Sequence, residues 1–310
     1  MKKKKLAIYA GVVFLSLGTL YEYKLNKDVE YVSAKDMKIE QSGGPDISLV
    51  AHRGLSSMEI GNSKEAIEKS TNKDYLSGIE FDVRLTSDGE AVLSHGDSIK
   101  DENNVVRSIS NSTLEQLKEM KLKITNNNIL SIVEDFFSIT DMSCIRLQRT
   151  HKLNSKTGTI VTLDETMDIV DNKKRMYIEL KFNNNYKQLS SKVVEVLNNH
   201  PNTDFVIQCN NYEELKKMQQ MYPEFKYQII IRKEDELKYL DDDFDGYSIK
   251  YNLINYDLIR EKINAGKEIS IWTVNDIKDF DNIKDEVSEY SEDVNYITDY
   301  PDCLYYQYKK

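Results

Sequence analysis

Cysteine is scarce in this 310-residue chain, and its three cysteines follow no recognisable pattern. Cys144, Cys209 and Cys303 are widely spaced and odd in number, so the sequence has neither a disulfide framework nor the spacing of a zinc site. A chain of this length can bury a full hydrophobic core and needs no disulfides for stability. We therefore expect three buried or unreactive thiols.

Several other common signals are absent. The sequence has no glycine-rich phosphate loop, no internal repeat and no low-complexity tract. Basic residues are outnumbered, with 42 Lys and Arg against 52 Asp and Glu, and the formal net charge is −10. An acidic body repels nucleic acid, which excludes a binder that relies on phosphate contacts and predicts no nucleic-acid partner. The same carboxylates suit a protein that holds a divalent cation.

A long apolar run is present at the N-terminus. Four lysines, Lys2 to Lys5, precede an uncharged and mostly apolar stretch from Leu6 to Tyr21, which would be roughly 24 Å long as a helix. A cleaved signal peptide and an uncleaved signal anchor both fit this pattern. The absence of an A-x-A cleavage site favours the anchor, with the lysines on the cytoplasmic side. The lysine block makes a buried core helix less favoured.

These features divide the chain into three parts. Residues 1–24 are predicted to be a membrane anchor or signal segment, residues 25–46 a polar stalk, and residues 47–310 the folded domain. The corresponding location is the cell membrane, as a single-pass protein whose folded domain lies outside the cytoplasm. The protein would be secreted if the N-terminal segment were cleaved.

Short apolar, β-branched runs alternate with helix-length segments throughout the domain, which predicts a parallel sheet. Helices are predicted at Ser63–Lys73, Tyr186–Asn198 and Tyr212–Tyr222. The predicted strands are Ile47–Ala51, Gly78–Leu85, Glu90–Ser94, Met176–Phe182, Asp204–Cys209, Tyr227–Ile231, Tyr247–Tyr251, Glu268–Val274 and Val294–Thr298.

The strand count favours one architecture. Only Thr86 to Gly89 separate the second and third strands, and such a short turn makes an antiparallel hairpin, since a parallel crossover needs a dozen or more residues. Eight parallel strands remain, the number that closes a TIM (β/α)8 barrel. A doubly wound α/β fold is the alternative, but no glycine-rich phosphate loop supports it.

One region interrupts the alternation and predicts an inserted excursion at about residues 123–158. A helix is predicted at Ser112–Leu122, followed by an Asn-rich turn at Thr125–Asn128 and an apolar stretch at Ile129–Ile139. A polar segment, Arg146–Gly158, comes next. The whole is too long for a plain connection, so we expect it over the active face of the barrel as a lid, a membrane-contact surface or inert decoration.

Polar side chains follow the first strands where each one ends. His52 and Arg53 end the first strand. In the second strand, the period of two puts Glu80 and Asp82 on the face opposite Ile79, Phe81 and Val83. Two carboxylates on one face of a buried strand repel each other, so a hard cation between them fits. Ion pairing with Arg84, on the same face, or with a lysine is the alternative.

Further polar residues fall at later strand ends. His95 follows the hairpin strand, Glu179 and Lys181 share a face of the fourth predicted strand, and Trp272 and Asn275 end another. Two histidines can serve as general base and general acid. Carboxylates can hold Ca²⁺ or Mg²⁺, and Arg and Lys can hold an anionic oxygen group. Together these groups are suited to the cleavage of a phosphate ester.

In their order along the chain, these motifs resemble the glycerophosphodiester phosphodiesterase family. The series is His-Arg-Gly at 52–54, Glu-Phe-Asp at 80–82 with Leu-Thr-Ser-Asp-Gly at 85–89, His95, Glu-Leu-Lys at 179–181, Trp-Thr-Val-Asn at 272–275 and Thr-Asp-Tyr-Pro at 298–301. The likeness covers roughly residues 48–303, and 123–158 fits it least. It implies a TIM barrel that hydrolyses glycerophosphodiesters to glycerol phosphate and an alcohol with a divalent cation.

The resemblance also implies a role for each candidate residue. The implied acid/base pair is His52 and His95. The implied ligands of Ca²⁺ or Mg²⁺ are Glu80, Asp82 and Glu179. The implied substrate contacts are Arg53 and Lys181 on the phosphate and Trp272 against the glycerol or the leaving group. The substrate would be a small-molecule or lipid-derived phosphodiester.

This sequence departs from the family pattern at two positions. Both departures bear on substrate preference and rate more than on the class of reaction. The family usually has Pro-Glu-Asn-Thr after His-Arg-Gly, but here Gly61 stands where the glutamate is expected, and Glu59 lies two residues earlier. The second histidine is usually followed by aspartate, but here Gly96 precedes Asp97. Two alternatives therefore stay open. One is a degenerate barrel that binds phospholipid or a glycerol-phosphate wall polymer without turnover, and the other is a lysophospholipase D-like phosphodiesterase.

Overall fold

The computed structural model describes residues 17–27, 47–124, 140–241, 243–290 and 293–309, and thirteen strands lie within these ranges. They are β1 (Ser48–His52), β2 (Gly78–Leu85), β3 (Ala91–Leu93), β4 (Ser98–Lys100), β5 (Val106–Ser108), β6 (Lys121–Leu122), β7 (Gly158–Thr159), β8 (Arg175–Leu180), β9 (Phe205–Cys209), β10 (Tyr227–Ile231), β11 (Gly246–Lys250), β12 (Glu268–Trp272) and β13 (Val294–Thr298).

Eight of these strands close into a parallel barrel. The sheet runs β1-β13-β12-β11-β10-β9-β8-β2, and β1 also pairs with β2, so the first and last strands meet and the barrel has no free edge among these eight. Helices cover its outer face between successive strands. The predicted TIM barrel is therefore confirmed, and its strand boundaries lie within two residues of those predicted from the sequence.

Ten α-helices lie in the described residues. They are α1 (17–26), α2 (Lys64–Thr71), α3 (Leu114–Lys118), α4 (Asp141–Leu153), α5 (Leu163–Val170), α6 (Tyr186–Asn199), α7 (Tyr212–Met221), α8 (Tyr256–Asn264), α9 (Ile277–Glu286) and α10 (Pro301–Lys309). Short 3₁₀ helices occur at Ile109–Asn111, Glu234–Asp241, Tyr251–Leu253 and Ser288–Tyr290. Side chains that accept hydrogen bonds from the first free N–H groups start many of the helices, for example Ser63 before α2 and Thr162 before α5.

The alternation along β2 positions the polar side chains. Ile79, Phe81 and Val83 are fully buried in the main core cluster between the strands and the helices. The residues between them, Glu80 and Asp82, therefore point to the interior of the barrel. Neighbouring strands follow the same rule, so every barrel strand has one apolar outer face and one face turned inward.

The strand after β2 turns back as predicted. β3 pairs antiparallel with β2, with Val83 opposite Leu93 and Leu85 opposite Ala91. The turn contains Gly89 at a φ of 86°, in the left-handed region that a side chain disfavours. Beyond β3, β4 and β5 form a small antiparallel hairpin, and β6 and β7 form a second two-stranded antiparallel sheet outside the barrel.

The excursion differs from its prediction at both described ends. The helix predicted at Ser112–Leu122 is limited to α3, because Lys121 and Leu122 instead pair with Thr159 and Gly158. The predicted polar segment Arg146–Gly158 is largely helical, since it continues α4 as far as Leu153. The Asn-rich turn and the apolar stretch Ile129–Ile139 lie outside the described residues.

The predicted location, a single-pass membrane protein with an extracytoplasmic or secreted domain, is wrong, because the helices of the structure contradict it. No helix in the part of the chain that the structure describes is long and apolar enough to cross a membrane. The described end of the apolar run forms α1, which contains Glu22 and a fully buried Lys24. It is connected to α4 because Gln148 donates a hydrogen bond to the Lys24 carbonyl at 2.8 Å. Residues 1–16 and 28–46, which include most of the predicted anchor and stalk, lie outside the described residues.

Two of the three cysteines are described, and both fit their prediction. Cys209, at the end of β9, and Cys303, in α10, are free thiols and are buried. Burial raises the pKa of the Cys209 thiol to about 12, so the thiol stays protonated and unreactive at neutral pH. The side chain of Cys144 lies outside the described part of the chain.

A buried ion pair attaches α4 to the rim of the barrel. The Arg149 guanidinium donates to both carboxylate oxygens of Asp302, at 3.0 and 2.6 Å, and to the Ser57 hydroxyl at 2.9 Å. Asp302 is fully buried at the start of α10, and Ser57 lies in the loop after β1. One guanidinium therefore connects the excursion to the segments that follow the first and the last barrel strands.

We expect the variant Asp302→Asn to lower the free energy of unfolding by about 3 kcal/mol, because it leaves the Arg149 charge buried without its ionic partner. Equilibrium urea unfolding measures the change. The matched control is Asp235→Asn, which removes an aspartate from a fully exposed ion pair with Lys233 and should give no measurable change. Equal stability of Asp302→Asn and the parent protein would contradict this assignment.

Candidate active site

The predicted site residues meet at the carboxyl ends of the barrel strands. A cavity of about 260 Å³ lies there, and seven of the eight line it: His52, Arg53, Glu80, His95, Glu179, Lys181 and Trp272. The eighth, Asp82, lies beside Glu80 and Glu179 with its side chain almost fully buried. The loops at this end of a TIM barrel are the usual position of an active site.

Three of these residues form a compact acidic cluster. Glu80 and Asp82 come from the inner face of β2, and Glu179 comes from β8, where it lies directly opposite Asp82 in the parallel register. One oxygen from each carboxylate lies within 4.8 Å of the others. Carboxylate oxygens this close together, on two rigid strands, make a donor set of the kind that hard divalent cations prefer.

Asp82 is the best compensated of the three carboxylates. The Lys181 ammonium lies 3.0 Å from one Asp82 oxygen and also forms an ion pair with Glu179. The Asn62 amide donates to the other Asp82 oxygen at 2.8 Å, and the Arg53 guanidinium is 3.3 Å away. Although burial opposes ionisation, the charges of Lys181 and Arg53 outweigh it and hold the pKa of Asp82 well below its usual range.

Glu80 is less well compensated. Burial, together with the negative charges of Asp82 and Glu179, raises the pKa of Glu80 to about 7 despite the opposing effects of His52 and Arg53. Burial and the neighbouring charge of Asp82 also raise the pKa of Glu179. A divalent cation held by the three carboxylates would favour their ionised forms, so the residues present fit such an ion.

His52 is held by a second carboxylate that lies apart from the acidic cluster. Its Nδ1 is 2.8 Å from Asp299, and its Nε2 faces Glu80 at 3.8 Å. Burial and the positive charge of Arg53 lower the pKa of His52, but Asp299 and Glu80 outweigh them, and the net shift is upward. The imidazole is therefore oriented with Nε2 toward the cavity and is made more basic.

Asp299 is itself held in place by hydrogen bonds. The Ser56 hydroxyl donates to the same oxygen that contacts His52, at 2.8 Å, and the Asn275 amide donates to the other oxygen at 2.6 Å. The Asn275 carbonyl in turn accepts from the Asp299 backbone N–H at 2.9 Å. Burial raises the pKa of Asp299, but His52 and Asn275 dominate and lower it, so the carboxylate stays ionised.

The main chain and the side chain of Arg53 contact different carboxylates. Arg53 has a φ of 57°, and its N–H donates to Glu80 at 2.9 Å while its guanidinium lies beside Asp82. Gly54 follows with a φ of 72°, and a Cβ there would come within 2.8 Å of the Ala66 backbone. The glycine of the His-Arg-Gly motif is therefore required by both its conformation and its packing.

His95 reaches the cavity from the loop after β3. Its carbonyl accepts two hydrogen bonds from the Arg84 guanidinium, at 3.1 and 2.8 Å, which fixes the loop. Burial and the positive charges of Arg53 and Lys181 lower the pKa of His95 to about 4, although Asp82 opposes them. The two histidines therefore have pKa values shifted in opposite directions.

Trp272 forms part of the cavity wall at the end of β12. Its indole N–H donates to the Ser248 carbonyl at 3.1 Å, and its ring packs on an interior cluster that includes Tyr177 and Ile297. Ser248 and Gln208 line the same cavity. The wall thus offers one flat apolar surface next to hydroxyl and amide groups.

At both departures from the family pattern, the nearby carboxylates of Glu59 and Asp97 are paired outside the site. Glu59 does not replace the missing glutamate, because its carboxylate is paired with Lys69 at 2.7 Å and with Lys156. Gly61 lies against Arg53 and leaves the wall beside it without a side chain. Asp97 does not line this cavity, because Ser108 and Ser110 donate to its carboxylate and tie it to the neighbouring hairpin.

The sequence did not reveal the contributions of Asp299 and Asn62. Asp299 belongs to the Thr-Asp-Tyr-Pro motif, but a motif alone does not show that its carboxylate would reach a histidine 247 residues earlier. Asn62 donates to the Asp82 side chain and accepts from the Asp82 backbone N–H at 3.0 Å. A usable signal existed for Asp299, since it directly follows β13 and so had to lie at the same end of the barrel as His52.

Comparisons with known proteins agree with this geometry. Residues 52–291 match the model of the glycerophosphoryl diester phosphodiesterase family. A search of curated proteins gave no match.

Solved structures share the fold. A phosphodiesterase of Oleispira antarctica in complex with the product sn-glycerol-3-phosphate has a TM-score of 0.63 at 18% identity, covering 85% of this chain and 97% of that one. A glycerophosphodiester phosphodiesterase of Thermotoga maritima has a TM-score of 0.60 at 21% identity, covering 85% and 98%. A protein of Galdieria sulphuraria described as a glycerophosphodiester phosphodiesterase has a TM-score of 0.64 at 15% identity, covering 87% and 100%.

We expect Ca²⁺ or Mg²⁺ to raise the melting temperature of the protein relative to EDTA, because an ion that binds only the folded state stabilises it. The variant Glu80→Gln should lose most of this shift, since it removes one of the three carboxylates. Differential scanning calorimetry with each ion measures both effects. Glu195→Gln, which alters an exposed carboxylate on α6, should retain the full shift. A shift of the same size in Glu80→Gln would rule out the cluster as the binding site.

Proposed function

The chain belongs to the glycerophosphoryl diester phosphodiesterase family, and we propose that its barrel mouth hydrolyses glycerophosphodiesters to glycerol phosphate and an alcohol with a divalent cation. One observation carries the proposal. Three carboxylates lie within 4.8 Å of one another in a site that also brings together two histidines, an arginine and a lysine. These are the groups needed to bind a phosphodiester, to offset its charge and to move protons on both sides of it.

Arg53 and Lys181 bind the phosphate in this proposal. Both side chains line the cavity and both already lie against buried carboxylates, so they are fixed in position before the substrate arrives. The Arg53 Nε is buried and lies 3.3 Å from an Asp82 oxygen, which holds the guanidinium in place. A phosphate oxygen in the cavity would therefore accept from the remaining N–H groups of this guanidinium, while Nε stays directed at Asp82.

Glu80, Asp82 and Glu179 would hold the cation, with Ca²⁺ and Mg²⁺ as the candidates because all three ligands are oxygen. When bound, such an ion polarises the phosphoryl oxygen and stabilises the charge that develops on it. Lys181 already bridges two of these carboxylates, so it keeps the cluster compact.

His52 is the proposed general base. Its Nδ1 is engaged by Asp299, so Nε2 is the nitrogen that is free to accept a proton from the attacking hydroxyl group. Asp299 then stabilises the imidazolium that forms. His95, which also lines the cavity, would donate the proton to the leaving alkoxide once it is itself protonated. The phosphate itself, as an anion, opposes the positive charges that lower the pKa of His95.

The glycerol moiety would occupy the centre of the cavity. The Trp272 ring offers an apolar surface for the carbon chain, while Ser248 and Gln208 offer groups that hydrogen-bond to hydroxyls. A glycerol with two free hydroxyls matches this mixture.

We expect His52→Ala and Glu80→Gln each to reduce the hydrolysis of glycerophosphocholine at least 100-fold, because one removes the base and the other a cation ligand. The assay measures release of choline with Ca²⁺ or Mg²⁺ and with an EDTA control. Circular dichroism must show that both variants are folded. Wild-type rates in both variants would refute the mechanism, and a folded parent protein that binds the diester without turnover would show a degenerate barrel instead.

We expect Asp299→Asn to lower kcat about 100-fold with little change in KM, because Asp299 acts by orienting the His52 imidazole through its Nδ1. The acid limb of the pH profile of kcat/KM should move to lower pH, since Asp299 raises the pKa of His52 and its loss lowers that pKa. A purely structural residue would not move this limb. The control is Asp168→Asn, which alters an exposed carboxylate on α5 and should leave both kinetic constants unchanged.

A further inference from the structure

A second cavity of about 260 Å³ lies next to the first and shares Arg53 and His95 with it. The two cavities therefore adjoin at the residues that would hold the phosphate and protonate the leaving group. A phosphodiester has one substituent on each side of its phosphorus atom. If the glycerol occupies the first cavity, the alcohol that leaves next to His95 would occupy the second cavity.

The walls of the second cavity come mainly from the loop after β1, from β3 and the residues after it, and from the two small antiparallel sheets beyond β3. Apolar side chains form part of the wall, with Ile60, Leu93 and Leu122 among them. Two lysines complete it, Lys100 at the end of β4 and Lys123 just after β6. The Lys123 N–H donates to the Lys100 carbonyl at 2.9 Å, so the two residues are neighbours on adjacent segments.

The charge of this cavity is opposite to that of the protein. The chain has a formal net charge of −10, yet Arg53, Lys100 and Lys123 all line the cavity. Among the described residues that line it, Asp299 provides the only carboxylate, and His52, Ser56 and Asn275 already occupy it.

Asp101, the residue after Lys100, directs its carboxylate into its own turn and not at either lysine. The Asp101 carboxylate accepts hydrogen bonds from the backbone N–H groups of Asn103 and Val105, at 2.9 and 2.8 Å, within its own turn. In the described part of the chain, neither Lys100 nor Lys123 forms an ion pair through its ammonium group. Gly61 adds no side chain, and therefore no carboxylate, to the same wall.

We propose that the second cavity binds the leaving group and selects alcohols that carry a further phosphate, through Lys100 and Lys123. This inference rests on the proposed phosphodiesterase function and names the substrate class of that site. The further phosphate belongs either to a small phosphorylated alcohol or to the next unit of a glycerol-phosphate polymer. The apolar wall residues contact the carbon atoms between the two phosphates.

The test compares diesters that differ only beyond the scissile bond. The first is glycerophosphoglycerol, with a neutral alcohol, the second is the same diester with a terminal phosphate on that alcohol, and the third is a short glycerol-phosphate oligomer. The parent protein should prefer the phosphate-bearing substrates by on the order of tenfold in kcat/KM at low salt, and less at high salt. A higher rate on the oligomer identifies the polymer as the source, and a higher rate on the small diester identifies the phosphorylated alcohol.

Two sets of variants then locate the preference. Lys100→Gln with Lys123→Gln should reduce the ratio of the two kcat/KM values about tenfold, and Lys217→Gln, which alters an exposed lysine on α7, should not change it. Gly61→Glu should also reduce the ratio, whereas Gly61→Gln, with the same bulk and no charge, should reduce it less. An unchanged ratio in the double lysine variant, or a higher parent rate on a diester with an acyl chain, would overturn the proposal.

A binding measurement separates this inference from the proposed function. Calorimetric titration of the phosphate-bearing diester into the His52→Ala protein reports affinity without turnover. Affinity that falls about tenfold when both lysines are replaced supports the second cavity even if the parent protein hydrolyses nothing, which would refute only the proposed function. Equal affinity in the two proteins would overturn the inference even if the parent protein is an active phosphodiesterase.

Discussion

The structure of the site depends on the cost of burying three carboxylates together. Glu80, Asp82 and Glu179 project from two adjacent strands into the interior of the barrel, where burial weakens the stabilisation of their charges by water. The nearest cations, Arg53 and Lys181, compensate Asp82 more completely than Glu80. This imbalance explains why the three carboxylates suit an added cation. The same need for positive charge explains why Arg53, in a left-handed conformation, and Lys181, two residues beyond Glu179, lie beside the acidic cluster.

The barrel could be predicted from the sequence because its signals are local. Buried strands are short apolar runs with clear ends, and the four-residue turn after β2 allows only an antiparallel partner. The inward direction of Glu80 and Asp82 follows from the period of two, and the common direction of parallel strands brings Glu179 and Lys181 to the same end. These residues therefore came together in the structure as their positions predicted, whereas their individual roles remain proposals.

The remaining features depend on contacts between distant parts of the chain. Glu59 was a candidate for the site by its position in the sequence, but Lys69 and Lys156 hold it elsewhere. The apolar N-terminal run predicts a membrane helix by composition, yet its described end packs on α4 through contacts that composition does not show. The hydrogen bonds of Asp299 and the lysines of the second cavity likewise depend on loop conformation, which hydrophobic periodicity does not encode.

The contacts of Arg149 have a consequence for how the chain folds. Ser57 lies 92 residues before Arg149, and Asp302 lies 153 residues after it, on either side of the seam where β1 meets β13. Since these contacts span the seam of the closed barrel, we expect the ion pair to form late in folding. We expect this ion pair to contribute little to the folding rate and to slow unfolding instead. Arg149, a residue of the excursion, would then help to determine the lifetime of the closed barrel.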